Sequence, residues 1–215
     1  MIIRSIIDTD LYKLTMQNAA LQKFPFLYVR YTFTDRNNQI YPKGFAELVR
    51  EEIMQMAELR LTAGETNFLL RLNFLPPSYV DFLRGYRFNP SEVNVYQDEE
   101  GHLFITIEGY LYRTILWEVP LLAIVSELFY IATGKKLSNM ELSEFDVKDI
   151  SKLVEMESHN AYFSDFGTRR RYSYDNQNRI ISLFAREANH CFVGTSNVHL
   201  AHIHNIKPIG TMAHE

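Results

Sequence analysis

From Glu141 onward the 215-residue chain keeps one rhythm, in which amphipathic and short apolar runs take strict turns. A helix is expected over ELSEFDVKDISKLVEMES, a strand at AYFSDF, a helix over NQNRIISLFAREA, a strand at CFVGTSN, a short helix at NVHLAHIHN and a strand at KPIGTMA. Alternation at this spacing argues for βαβ units around a parallel sheet. Three polar, glycine-containing stretches, SDFGTRRR, GTSN and GTMAHE, fall where these strands end. The carboxyl ends of parallel strands form the binding face of such folds, so a site is expected where the three stretches converge.

The preceding residues have a different rhythm. An amphipathic helix is expected from Asp8 to Phe24, capped by Asp8, Thr9 or Asp10 and ended by Pro25. A strand at FLYVRYTFT, a helix over FAELVREEIMQMAELRL and a helical patch around Pro76 and Pro77 follow. VNVYQ, HLFITIEG and YLYRTILWE read as three more strands, and Pro120 is expected to open a helix through LLAIVSELFYIA. The rhythm changes near ATGKKLSNME, which puts an α+β domain at 1–135 and an α/β unit at 136–215.

Lys and Arg number 22 against 26 Asp and Glu, a net charge of −4, with a sequence pI near 6.0. No global positive field is available for nucleic acid or an anionic membrane, so any anion site must be local. The single Cys191, in the apolar run CFV, is expected as a buried thiol in a reducing compartment. The start, MIIRSIIDTD, turns acidic too early for a signal peptide, and Glu118 and Glu127 interrupt the most apolar stretch. These features predict a cytoplasmic protein without a membrane span.

Arg169, Arg170 and Arg171 beside Gly167 offer planar, bidentate grips for phosphate or carboxylate, although a solvated basic turn would have the same sequence. Phe166 next to them could stack on a flat ring or pack into a core. In GTSN, Ser196 or Asn197 suits the N-cap of the next helix. His199, His202 and His204 invite a metal reading, but no carboxylate or thiol completes a ligand set at a usual spacing. His214 and Glu215 read either as a polar tail or as a nucleophilic imidazole with an orienting carboxylate.

TDLYKLTMQ at 9–17, FSDFGTRRR at 163–171, GTSNV at 194–198 and PIGTMAHE at 208–215 together resemble the nicotinate phosphoribosyltransferases. The resemblance implies ATP-assisted, Mg²⁺-dependent joining of nicotinate to the ribose of phosphoribosyl pyrophosphate, giving nicotinate mononucleotide and pyrophosphate in NAD salvage. It also implies a homodimer with sites at the subunit interface. The pyridine ring would lie between Phe166 and a Tyr12 from the partner subunit, with Arg169 beside it as a catalytic residue in polar contact with nicotinate or the phosphoribosyl group; the family arginine that grips the nicotinate carboxylate lies past GTMAHE. Ser196 matches the position where the sibling nicotinamide enzymes carry an aspartate, which favours the acid over the amide. Thr211 would line the nicotinate site and His214 would take a phosphoryl group from ATP; Arg170 and Arg171 receive no role. The implied fold is an N-terminal α+β domain followed by the first strands and helices of a (β/α) barrel. Because family members continue past GTMAHE, that barrel is expected to be incomplete here and this chain alone inactive. The alternatives are the nicotinamide sibling and a catalytically silent anion-binding or partner module.

Overall fold

The computed structural model describes residues 1–135, 137–188 and 190–210. Helix α1, Leu11–Lys23, starts after Asp10, buries Leu11, Tyr12, Lys13 and Leu14 all round its first turn, and then Gln17 and Ala20. Asp10 occupies the N-cap position, yet its side chain makes no capping hydrogen bond; the carboxylate is used elsewhere. Strand β1, Tyr28–Thr32, is followed by α2, Phe45–Met56, α3, Ala63–Leu70, and α4, Pro77–Gly85. Thr62 and Glu65 form a reciprocal capping box on α3, and Pro77 stands in the first turn of α4, where its missing N–H costs nothing.

Strands β2, Val93–Gln97, and β3, Leu103–Tyr110, complete an antiparallel sheet in the order β1-β3-β2. Val95, Leu103, Ile105 and Ile107 point into the core, while Tyr96 and Phe104 stack outside with centroids 4.5 Å apart.

The strand expected at YLYRTILWE is instead helical. β3 ends at Tyr110, and the chain turns into α5, Leu111–Thr114, a 3₁₀ turn over Ile115–Trp117, and α6, Glu118–Ala132. Ile115, Leu116, Trp117 and Val119 are all fully buried. A segment that is apolar on every side shows no helical contrast, so aromatic and β-branched content imitates a strand. Leu111–Ala132 is long and apolar enough to cross a membrane, with mean hydropathy 1.8, and 56% of its most apolar window is buried inside the fold.

Beyond it lie α7, Asn139–Ser158, β4, Phe163–Asp165, a 3₁₀ turn over Thr168–Arg170, α8, Tyr174–Glu187, β5, Phe192–Thr195, and α9, Val198–His204. β4 and β5 pair in parallel, and Thr195 forms a further parallel bridge with Pro208. That is the connection a βαβ unit requires. Gly194 permits it: an added Cβ would stand 2.0 Å from the Lys207 carbonyl oxygen. The larger core runs from Ile2 to Leu128 and takes in Val198 and Ala201 of α9. A smaller one gathers Leu153, Ile181, Cys191, Phe192 and Leu200, so α9 contributes to both.

Candidate active site

The carboxyl ends of β4 and β5 meet the start of α1, and backbone hydrogen bonds fix the meeting. Ser196 N donates to the Asp165 carbonyl at 2.9 Å, Leu11 N to the Ser196 carbonyl at 2.8 Å, and Val198 N to the Thr9 carbonyl at 3.0 Å. The Asp165 carboxylate accepts from Thr195 Oγ1 at 2.7 Å, Gln177 Nε2 at 3.1 Å and Gly167 N at 3.1 Å. It thereby holds the turn that carries Phe166 and the arginines.

Arg171 is structural. Its guanidinium is almost wholly buried and grips the fully buried Asp8 with both terminal nitrogens, at 2.9 and 3.2 Å. It also donates to the Ile2 carbonyl at 3.1 Å. Asn197 adds a 2.8 Å hydrogen bond to Asp8 and caps α9 through Leu200 N. Burial alone would push the Asp8 carboxyl up; Arg171 and Asn197 outweigh it and hold the group below its usual value.

Arg169 faces the opposite way. Its Nη1 lies 3.1 Å from Glu118 Oε1 and its Nε 3.6 Å from Asp10 Oδ2, with Cζ 5.5 Å from the Tyr12 ring centroid. Lys13, fully buried on α1, forms an ion pair with the other oxygen of Glu118, and its Nζ stands 5.0 Å from the Tyr12 centroid. Ser196 Oγ donates to Asp10 Oδ1 at 2.6 Å. Burial raises the Asp10 carboxyl above its usual value despite Ser196 and Arg169.

The structure thus brings Tyr12, Arg169 and Ser196 of one chain together. Tyr12 is buried, with its ring against Arg169 of its own chain. Phe166, 46% exposed, stands on the adjoining turn, and Arg170 is exposed. Thr211 and His214 lie outside the described residues. Asp8, Asp10, Lys13 and Glu118 were not singled out as site residues from sequence. The available signal was charge in an apolar setting, since Glu118 interrupts the most hydrophobic stretch of the chain.

The α9 histidines have other partners. His199 Nδ1 and Nε2 lie 3.1 Å from Glu65 Oε1 and from the Tyr174 hydroxyl, respectively. His202 packs on Phe68, and His204 pairs with Asn178 Oδ1 at 2.8 Å. Among the described residues these histidines form no metal cluster. Asp8, Asp10, Asp165 and Glu118 are each engaged by the cations, hydroxyls and amides described above. They therefore leave no open, converging set of oxygens for Mg²⁺.

Glu65 supplies an acid-sensitive tie between α3 and α9. Burial would raise its carboxyl, but hydrogen bonds from His199, Ser5 and the Thr62 backbone pull it down to about 2 from 4.5. A depressed carboxyl contributes stability above its unfolded value, and that contribution is lost as pH falls from about 4.5 towards 2. Glu65→Gln should remove on the order of 1–2 kcal/mol of pH-dependent stability in that window. Urea titrations between pH 5 and about pH 2.5 measure it, and an unchanged slope would show that Glu65 is not the tie.

A planar anion is what this arrangement suits, with one guanidinium set over an aromatic ring and an exposed phenylalanine beside it. A family model described as the nicotinate phosphoribosyltransferase N-terminal domain matches residues 7–126, and one for the nicotinate phosphoribosyltransferase family matches 161–215. A nicotinate phosphoribosyltransferase of Chromohalobacter salexigens is 44% identical over 214 residues, which cover 98% of this chain and 54% of that protein. The crystal structure of the Porphyromonas gingivalis nicotinate phosphoribosyltransferase is 48% identical with a TM-score of 0.94, covering 100% of this chain and 55% of that one. The corresponding Vibrio cholerae structure is 28% identical with a TM-score of 0.88, covering 100% and 52%. The chain belongs to the nicotinate phosphoribosyltransferase family. It spans about half the length of the relatives it matches.

Proposed function

We propose that this chain carries the pyridine-binding end of an enzyme that transfers the phosphoribosyl group of phosphoribosyl pyrophosphate to nicotinate. The observation that carries the reading is Arg169, held against Glu118 and Asp10, on the turn that also carries the exposed Phe166. In this reading Phe166 and Tyr12 are the plates for the ring, with Tyr12 supplied across a homodimer interface in the assembled enzyme. Arg169 makes a polar contact with nicotinate or the phosphoribosyl group. Stacking leaves the ring nitrogen's lone pair free to attack C1 of the ribose; the N–C1 bond forms as the C1–O bond to pyrophosphate breaks.

Position 196 is a serine, whose hydroxyl donates to Asp10, and so adds no carboxylate of its own to oppose an acidic substrate. Thr211 and His214 keep the roles that the family pattern suggests, lining the nicotinate site and accepting a phosphoryl group from ATP. No step is assigned to Mg²⁺, because the carboxylates around Arg169 are already taken up by cations and hydroxyls. The parallel β4–β5 pair is read as the start of a (β/α) barrel that the rest of the family length would complete, and the enzyme is placed in the cytoplasm.

Calorimetric titration with nicotinate and nicotinamide tests the reading. The acid should bind at least about tenfold more tightly, and Phe166→Ala should weaken it by about tenfold, the worth of one ring stack. Preference for the amide would assign the chain to the sibling activity, and binding of neither ligand would remove the proposal.

A further inference from the structure

We infer that Glu118 is a positioning residue that sets the pose of Arg169, so that the substrate meets a guanidinium already fixed in its plane. The inference deepens the proposed function and rests on its assignment of Arg169 to substrate contact.

Three observations carry it. First, Glu118 has an immobile base. It begins α6, whose next residues Val119, Pro120, Leu121, Ala123 and Ile124 are buried. Second, its carboxylate is held from the side by the ammonium of Lys13, itself wholly buried. Taking this carboxylate away from a buried cation is unfavourable, because interior charge needs its balance. Third, the oxygen that Lys13 does not hold lies 3.1 Å from Arg169 Nη1, whereas the nearest oxygen of Asp10 is 3.6 Å from Nε and that carboxylate is shared with Ser196. Glu118 is the shorter contact.

Arg169 needs such a hold. Its side chain is 37% exposed, and a free arginine samples many rotamers, whose loss on binding would weaken a ligand contact. Two carboxylates and the Tyr12 face together leave it few orientations. The arrangement has an electrostatic drawback, since Glu118 also repels an incoming anion. Positioning and repulsion therefore predict opposite effects when the charge is removed, and that makes the inference testable.

The test uses this chain, with arginine side chains labelled for NMR. Separate Nη signals report hindered rotation about the Nε–Cζ bond. Arg169 should show hindered rotation in the native chain. In Glu118→Gln it should rotate about tenfold faster, while Arg171, anchored on Asp8, remains unchanged and certifies the fold. If Glu118→Gln fails to fold because Lys13 loses this carboxylate, the double variant Lys13→Met, Glu118→Gln removes both charges of the pair, and Arg169 should again be released. Nicotinate should bind about tenfold more weakly to whichever variant folds.

Equal rotation of Arg169 in the native chain and the variants overturns the inference, as does tighter nicotinate binding by Glu118→Gln, which would mark repulsion as the dominant role. A native chain with hindered Arg169 but no affinity for nicotinate would support the clamp and remove the proposed substrate instead.

Discussion

Arg171→Met should destabilise the fold by about 3–5 kcal/mol, the usual cost of stranding one member of a buried ion pair. Asp8 would lose two of its hydrogen bonds and keep those from Asn197 and from the Arg4 N–H, with no solvent to replace the lost pair. The urea midpoint should fall with little change in slope. Pairing the change with Asp8→Asn should recover much of the loss, because the stranded charge goes with it.

The acid limb provides a second readout. Asp8 is held below its usual 3.8, so its contribution is complete above that pH and disappears as pH falls through the folded value. Arg171→Met should abolish this limb. If the single variant lost less than about 1 kcal/mol, Arg171 would have to be reassigned from structure to substrate contact.

Gly194→Ala should cost about 3 kcal/mol, at the upper end for overpacking. The new methyl would collide with a backbone oxygen, the Lys207 carbonyl, which cannot swing aside as a side-chain tip can. Gly194 also has φ +150°, which side-chain-bearing residues rarely adopt. Relief requires that residues 207–209 leave β5, breaking the hydrogen bond from Ile209 N to the Thr195 carbonyl at 2.8 Å. Amide exchange at Ile209 should accelerate by more than the global stability change explains. Uniform acceleration across β4 and β5 would show instead that the strands yield as one unit.

The periodic elements were legible in the sequence because their apolar residues alternate with polar ones at a definite spacing. VNVYQ became β2 residue for residue, and the helices expected around 141–158 and 176–188 became α7 and α8 with small shifts at their ends. Thr114–Trp117 imitates a strand because burial on every side removes that contrast.

The candidate site was legible in part. Glycine-broken strand ends pointed to the SDFG and GTSN turns, and the structure joins them through Asp165 and Ser196. Partner identity was not legible, since nothing local distinguishes Arg171, locked on Asp8, from Arg169, lying on Tyr12. Glu118 and Glu127 were read only as interruptions of an apolar stretch. The better reading of such interruptions is that each needs a partner. Glu118 finds Lys13 and Arg169, while Glu127 accepts from Tyr174 N at 2.9 Å and lies 3.7 Å from Arg171 Nε.

The buried ties of the first ten residues also determine when they can settle during synthesis. Asp8 waits for partners 163 and 189 positions later, and Asp10 for one 186 positions later. At about 5–20 residues per second, the ribosome takes on the order of ten seconds or more to deliver them. Until then these two carboxylates remain hydrated, and the opening turn of α1 has no lock. The locking of the two ends of the sequence is therefore a late event of maturation, in keeping with the slow closure of contacts far apart along a chain.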